Sequence, residues 1–416
     1  MKRLTLLLFL LPSWSFAQLA LSEAERLARE LNPIMAAANA DVEAAKARAA
    51  KLTSPYRPMV DLMLYGGRTE GIAMDVGSGL EMFRGSGSGM NAMLSWKLFS
   101  GGQDATARRI GQSEIARAQA RFGIAWLDLQ LEVRTEFAEA LRLQDEVKAV
   151  EASLESAEEI ERVTRALFEA GKLPEAFVYG AAADRAKFEG LLATTRAELE
   201  GAYARIVACC GAELIGGSVG DWDVPMEVPE SLEAAVEWAY SHSPEVEVLE
   251  REAEELRGRA RQVEQSGLPQ LTAFAVRDQI FSGTSMDART GSQVGLTLSF
   301  PLIDGSMRRN ESAEMKRMGI EADARVAAMK NTLRAEVSAE WAKWTASAAL
   351  LESANARVAA ADEAYRIAKL RYEEGKTIRA ELSTALADQQ EARVDLAKAH
   401  SYRHVSWARL RYVMGG

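Results

Sequence analysis

His400 and His404 stand four residues apart near the end of the sequence, a spacing that puts two imidazoles on one face of a helix. Such a pair could ligate a metal, but a protein metal site needs further ligands, and only His242 remains. Metal ligation therefore competes with a simpler expectation, exposed helix histidines, and no cofactor is expected. The only cysteines, Cys209 and Cys210, are adjacent. A disulfide between neighbours is strained, and no other thiol is available for a loop-closing bridge. The pair reads as two small apolar residues near a helix end, with a redox role as the alternative. Nothing in the chain resembles a nucleophile–base pair, a phosphate-cradling loop or a Cys/His cluster, so an enzyme is not expected.

The elements that would carry these residues follow from composition. The 416 residues carry a formal charge of −10, which excludes nucleic acid as an expected partner because phosphate binding needs a basic face. Residues 1–17 read as a secretory signal peptide: Lys2 and Arg3, a short apolar run from Leu4 to Leu11, then Ser15-Phe16-Ala17 as the cleavage site. No later stretch is apolar for long enough to form a transmembrane helix. Two destinations remain, the aqueous space beyond the inner membrane or an outer membrane crossed by strands.

The chain repeats itself. "LSWKLFSGG" (94–102) and "LSFPLIDGS" (298–306) match, as do "LFEAGKL" (167–173) and "RYEEGKT" (371–377). Pro33 aligns with Pro244 and Pro58 with Pro269. These landmarks share one offset apart from a longer loop between Pro58 and Leu94, so the chain is read as an internal duplication. Residues 18–210 form the first repeat, 211–230 a linker and 231–416 the second repeat. Each half opens with an Ala/Glu-rich helix (about 21–52 and 231–266). Two short strands follow around a Gly/Ser-rich loop, then a very long helix (about 103–169 and 307–373). After a Gly-Lys turn, a second long helix closes the half (about 175–209 and 379–413). Phe122, Trp126, Leu129, Val133 and Phe137 recur at spacings of three and four, as Leu333, Val337, Trp341 and Trp344 do in the second half. At about 1.5 Å per residue such helices reach roughly 100 Å. On helices alone, an antiparallel coiled coil would suffice.

The strands change that reading. They are expected at about 56–66, 90–99, 269–281 and 293–303. Val294, Leu296, Leu298, Phe300 and Leu302 alternate with Gly295, Thr297, Ser299 and Pro301, giving one oily and one wet side. Met90, Ala92, Leu94, Trp96 and Leu98 do the same, as do Val60, Leu62 and Leu64. The strand at 271–281 is less clean, with Arg277 and Asp278 adjacent. This is the pattern of a transmembrane barrel strand; a soluble β-subdomain packing its oily face on helices is the alternative. The segments 67–89 and 282–292 read as water-exposed loops. Four strands cannot close a barrel, and open edges in lipid leave backbone groups unpaired. Three copies would give about twelve strands and a water-filled lumen.

These residues resemble the TolC-like outer-membrane efflux family over essentially the whole mature chain. "LSFPLIDGS" resembles the family's strand-to-helix signature, with Ile303 in place of the usual aromatic. The first copy keeps Phe99 but has Lys97 where proline is usual. "LNPIM" resembles its Asn-Pro helix start, and 372–399 its helical hairpin tip. The resemblance implies a mainly α fold with a small membrane β part. That fold is a homotrimer with a twelve-stranded barrel in the outer membrane and a twelve-helix barrel across the periplasm. It also implies docking on a periplasmic adaptor and an inner-membrane pump that supplies the energy. Glu381 matches an acidic ring position that narrows the channel and would favour cations. The next acidic position falls on Thr384, with Asp388 one turn further on as a weak substitute. Tyr372 matches a tyrosine that holds the tip closed, while the carboxylate that usually partners it corresponds to Phe177. The turns Gly171-Lys172-Leu173 and Gly375-Lys376-Thr377 resemble those that meet the adaptor. The competing class is a soluble periplasmic coiled-coil scaffold or adaptor.

Overall fold

The computed structural model describes residues 18–75, 79–211, 218–282 and 289–416. The expected signal peptide, the centres of both strand-connecting loops and part of the linker lie outside the described residues. In chain order the elements are α1 (Leu21–Leu31), α2 (Pro33–Thr53), β1 (Met59–Asp75), β2 (Gly79–Phe99), α3 (Gln103–Glu169) and α4 (Glu175–Cys210). They continue as α5 (Leu232–His242), α6 (Pro244–Gln265), β3 (Gln270–Ser282), β4 (Arg289–Ser299), α7 (Met307–Glu373) and α8 (Arg379–Val413). Mostly helical with a small strand part, the chain runs through two helices, two strands and two helices, twice over. No helix among the described residues is long and apolar enough to cross a membrane.

The single helix expected to open each half is instead two helices, parted at Asn32-Pro33 and Ser243-Pro244. Proline crowds the residue before it out of the helical region, and Asn32 (ψ 130) and Ser243 (ψ 118) are extended. Each proline then starts the next helix, where its missing N–H would be unpaired anyway. The Asn32 side chain secures the first break: Oδ1 accepts from the Ile34 N–H (2.8 Å) and Nδ2 donates to the Cys209 carbonyl (2.7 Å).

The chain divides into two compact units, and each draws on both halves of the sequence. One unit holds the residues up to Ala38 with Phe122–Pro244 and Lys330–Gly416. Its core sets the wholly buried Phe137 of α3 among Leu21 of α1, Ile206 of α4 and Val219. Each large side chain buried this way contributes roughly 1.5–3 kcal/mol. Ala24, Ala28, Ala140 and Ala202 are fully buried too, and their small side chains let the helices approach closely.

The other unit holds Asn39–Arg121 and Glu245–Met329. Its helices also meet over small residues: a Cβ at Gly111 would sit 2.9 Å from that of Ala49, and one at Gly258 would sit 2.8 Å from Ile110. Its sheet is antiparallel, in the order β1-β2-β3-β4. Register decides what shares a face. Val60, Leu94, Ala275 and Val294 form one row across all four strands; Trp96, Ala273 and Leu296 form the next, and Leu271 pairs with Leu298. Arg277 lies on this same face but in a row further out, between Ala92 and Ser292. The opposite face carries Asp61, Asn91, Lys97, Thr272 and Asp278, and Asn91 Nδ2 donates to Asp278 Oδ1.

A soluble subdomain would bury its oily face on helices. Here Val60 is 74%, Leu64 71% and Val294 82% exposed. One expectation is corrected: most of 67–89 is not loop. The β1–β2 ladder continues through Gly67↔Gly87 to Asp75↔Gly79, and β3 and β4 likewise reach Ser282 and back from Arg289. Glycine and serine weaken a strand but do not forbid ladder hydrogen bonds, so composition alone misread the segment. Two glycines have a further role. The Tyr65 ring covers its cross-strand partner Gly89, and Phe274 covers Gly295, where a Cβ would sit 2.9 Å from the ring. An aromatic laid over a cross-strand glycine replaces the missing side chain and pins the register.

Candidate functional site

The turns that close the two helical hairpins are built alike. Beyond α3, Gly171 has φ +72; its N–H donates to the Phe168 carbonyl (2.8 Å) and that of Lys172 to Leu167 (2.9 Å). Beyond α7, Gly375 has φ +71, with Gly375 N–H to Tyr372 (2.9 Å) and Lys376 N–H to Arg371 (2.8 Å). This paired bonding closes a helix on a left-handed residue, which glycine adopts without a Cβ penalty. A Cβ at either glycine would meet nothing within 4 Å. Lys172 and Lys376 are exposed, whereas Leu173 and Thr377 are half-buried. Lys376 pairs with Glu374 (2.8 Å).

Behind these turns α3, α4, α7 and α8 share one apolar cluster, with Ile160, Phe188, Leu382 and Leu386 at its centre. Tyr372 sits inside it, 6% exposed. Its hydroxyl meets Thr164 Oγ1 at 2.8 Å, and Thr164 Oγ1 lies 2.7 Å from the Ile160 carbonyl, to which it donates. A threonine hydroxyl has one proton, so Tyr372 is the donor to Thr164. Phe177 is half-buried and supplies no carboxylate. The partner of Tyr372 is therefore a buried hydroxyl on α3.

Glu381 lies in the first turn of α8 and is exposed. It accepts from the Thr377 hydroxyl and pairs with Arg371 at 3.3 Å. Thr384 and Asp388 are exposed at steps of three and four residues further along, so the three lie on one stripe of α8. Asp388 makes no contact with Glu381; its charge helps hold the Arg357 guanidinium protonated, after the larger effect of Glu391.

Sequence reading missed one polar link in this region. Arg379 Nη1 donates to Asp184 Oδ2, and Ser383 Oγ donates to the same oxygen at 2.9 Å. Both charged side chains are mostly buried, and the guanidinium lies over Gly180, where a Cβ would stand 2.5 Å from Nη2. The contact ties α4 of the first half to α8 of the second. Its one sequence trace is Gly180, four residues before Asp184, which leaves space for the arginine.

The histidines and cysteines correct one expectation. His400 is exposed, but His404 is not: its ring stacks on Trp222 at 4.3 Å, and burial pushes its pKa down to about 4. His242 stacks on Trp238 at 4.0 Å. No grouping of three or more potential ligands suited to a metal occurs among the described residues. Cys209 and Cys210 end α4, both buried, and burial raises their thiols to about 12 and about 11. They stay protonated at neutral pH and are poor nucleophiles.

Residues 25–212 and 236–416 match the family model described as "Outer membrane efflux protein". Among curated proteins no match was found. Of the solved structures similar to this chain, the outer membrane protein VceC of Vibrio cholerae has a TM-score of 0.78 at 16% identity, covering 95% of this chain and 96% of VceC. The outer-membrane channel OprN gives 0.77 at 19%, covering 95% and 90%. The CmeC outer membrane channel of Campylobacter jejuni gives 0.75 at 17%, covering 95% and 85%.

Proposed function

Because the chain belongs to the outer membrane efflux protein family, and is an exit duct of the outer membrane that extends into the periplasm, we propose that it works as a homotrimer. The observation that carries this is the open sheet. β1 and β4 each leave one edge without a partner among the described residues, while one face is apolar across all four strands in the rows nearest the helices. Unpaired backbone in hydrocarbon costs several kcal/mol per group, so the edges must pair with other copies. Joining β4 of one copy to β1 of the next keeps the antiparallel alternation. Three copies close about twelve strands, enough for a wet lumen. Their α3, α4, α7 and α8 would continue the wall as a helical barrel.

The duct is passive in this reading. The Gly171-Lys172-Leu173 and Gly375-Lys376-Thr377 turns dock on a periplasmic adaptor, and an inner-membrane pump supplies the energy. Glu381, with Asp388 on the same stripe, lines the narrow periplasmic end; Tyr372 holds that end together from behind. The family assignment leaves the soluble scaffold without support. Membrane extraction followed by native mass measurement tests the assembly: a detergent-held species of three equal chains that conducts ions in a planar bilayer is expected. A single-chain or two-chain species would overturn it.

A further inference from the structure

We infer that the groove between the end of α6 and the start of α7 binds the anionic headgroup of a phospholipid in the inner leaflet of the outer membrane. The groove, of about 350 Å³, is lined by Glu264 of α6 and by Arg308, Arg309, Ser312, Ala313 and Lys316 of α7. Three cations meet two carboxylates here, Glu264 in the groove and Asp304 beside it, which leaves one positive charge in excess. Arg308 is fixed in place: its Nε donates to Asp304 (2.5 Å), and a Cβ at Gly267 would collide with its guanidinium. Lys316 and Ser312 both donate to Glu264, the latter at 2.9 Å. Arg309 is exposed and has no hydrogen bond or ion pair among the described residues. It presents a free guanidinium, whose planar fork matches phosphate geometry.

Position selects the ligand. The apolar face of β4 runs into the strand-to-helix turn, where Leu302 is 82% and Ile303 93% exposed, and Met307 on α7 is exposed as well. Arg308 and Arg309 come directly after Met307. A ligand filling this place must offer hydrocarbon to the turn and a negative phosphate to α7. Free phosphate satisfies only the second requirement. A phospholipid satisfies both, and basic side chains directly beside a hydrophobic belt are the usual headgroup partners.

This inference rests on the outer-membrane reading, and its test separates the two. Full-length protein is reconstituted into vesicles containing equal parts phosphatidylglycerol and phosphatidylcholine, extracted, and the lipid it retains is measured by native mass spectrometry. At about 1 kcal/mol per cation near an anionic surface, the unpaired Arg309 should give roughly fivefold preference for phosphatidylglycerol, and Lys316, shared with Glu264, adds less. The exposed-site double variant Arg309→Gln, Lys316→Gln should lose most of it, while Lys187→Gln on α4 should keep it. Equal preference in wild type and double variant would overturn the site, as would displacement of the lipid by millimolar inorganic phosphate. Protein that never enters the vesicles would instead overturn the membrane reading.

Discussion

Tyr372 and Thr164 form a polar pair inside an apolar cluster, and its cost of removal follows from what is left behind. Tyr372→Phe removes the donor but leaves the Thr164 hydroxyl bonded to Ile160, so the loss should be about 1 kcal/mol. Thr164→Val strands the tyrosine hydroxyl instead and should cost more, about 1–3 kcal/mol; thermal dissociation of the purified protein would rank the two. Glu381 invites a prediction with opposed signs. A ring of three carboxylates at a constriction raises the local cation concentration, and Arg371 offsets part of each charge. Glu381→Ala should lower the potassium-to-chloride permeability ratio by about twofold or more, and Arg371→Ala should raise it, both read as reversal potentials under a salt gradient. Unchanged ratios would remove Glu381 from the pore. At this scale the sequence was only partly legible. The family resemblance marked Glu381 and, as a weak substitute, Asp388. The partners did not show, because Thr164 and Tyr372 lie far apart in the chain and meet only through folding. His404 also misled: its spacing from His400 suggests solvent, but the stack on Trp222 depends on a linker residue that no helical periodicity can place.

Among elements, the long helices were the most readable. The regular return of apolar residues and the Gly-Lys turns bound α3 and α7 almost to the residue, since both signals are local. Strand pairing was less so. The Gly/Ser-rich ends of β1 and β2 resemble loop by composition, and only their mutual register makes them a ladder. The bond from Arg379 to Asp184 left only Gly180 as a trace in the sequence, because it joins α8 to α4. Arg379→Ala leaves Asp184 with Ser383 alone and should destabilise the α4–α8 contact by about 2 kcal/mol. Faster hydrogen exchange in the first turns of α8, with the core near Phe137 unchanged, would report it. The turns make a separate prediction. Gly171→Val and Gly375→Val each place a β-branched residue at positive φ, costing about 1–2 kcal/mol. The double variant should still assemble but lose export of the substrate its pump supplies, measured as retention of that substrate in cells; export at wild-type level would remove the turns from docking.

For the whole molecule, lipid is part of the fold. Leu296 lies on the apolar face at 65% exposure, so Leu296→Arg should cost about 2–4 kcal/mol in the membrane and lower the yield of assembled trimer. Thr297→Arg, one residue along and on the other face, should be tolerated; equal losses would mean that the face assignment is wrong. The two ladders also differ in reach. Residues 79–86 of β2 pair with β1 alone, because the last rung shared with β3 is Gly87↔Ser282. At about 3.3 Å per residue, those rungs carry the β1–β2 ladder roughly 25 Å beyond the last one shared with β3. In the proposed trimer, three such projecting ladders would ring the outward mouth. Antibodies or bacteriophages approaching the cell would meet these ladders, and a peptide tag inserted after Asp75 should be read on intact bacteria.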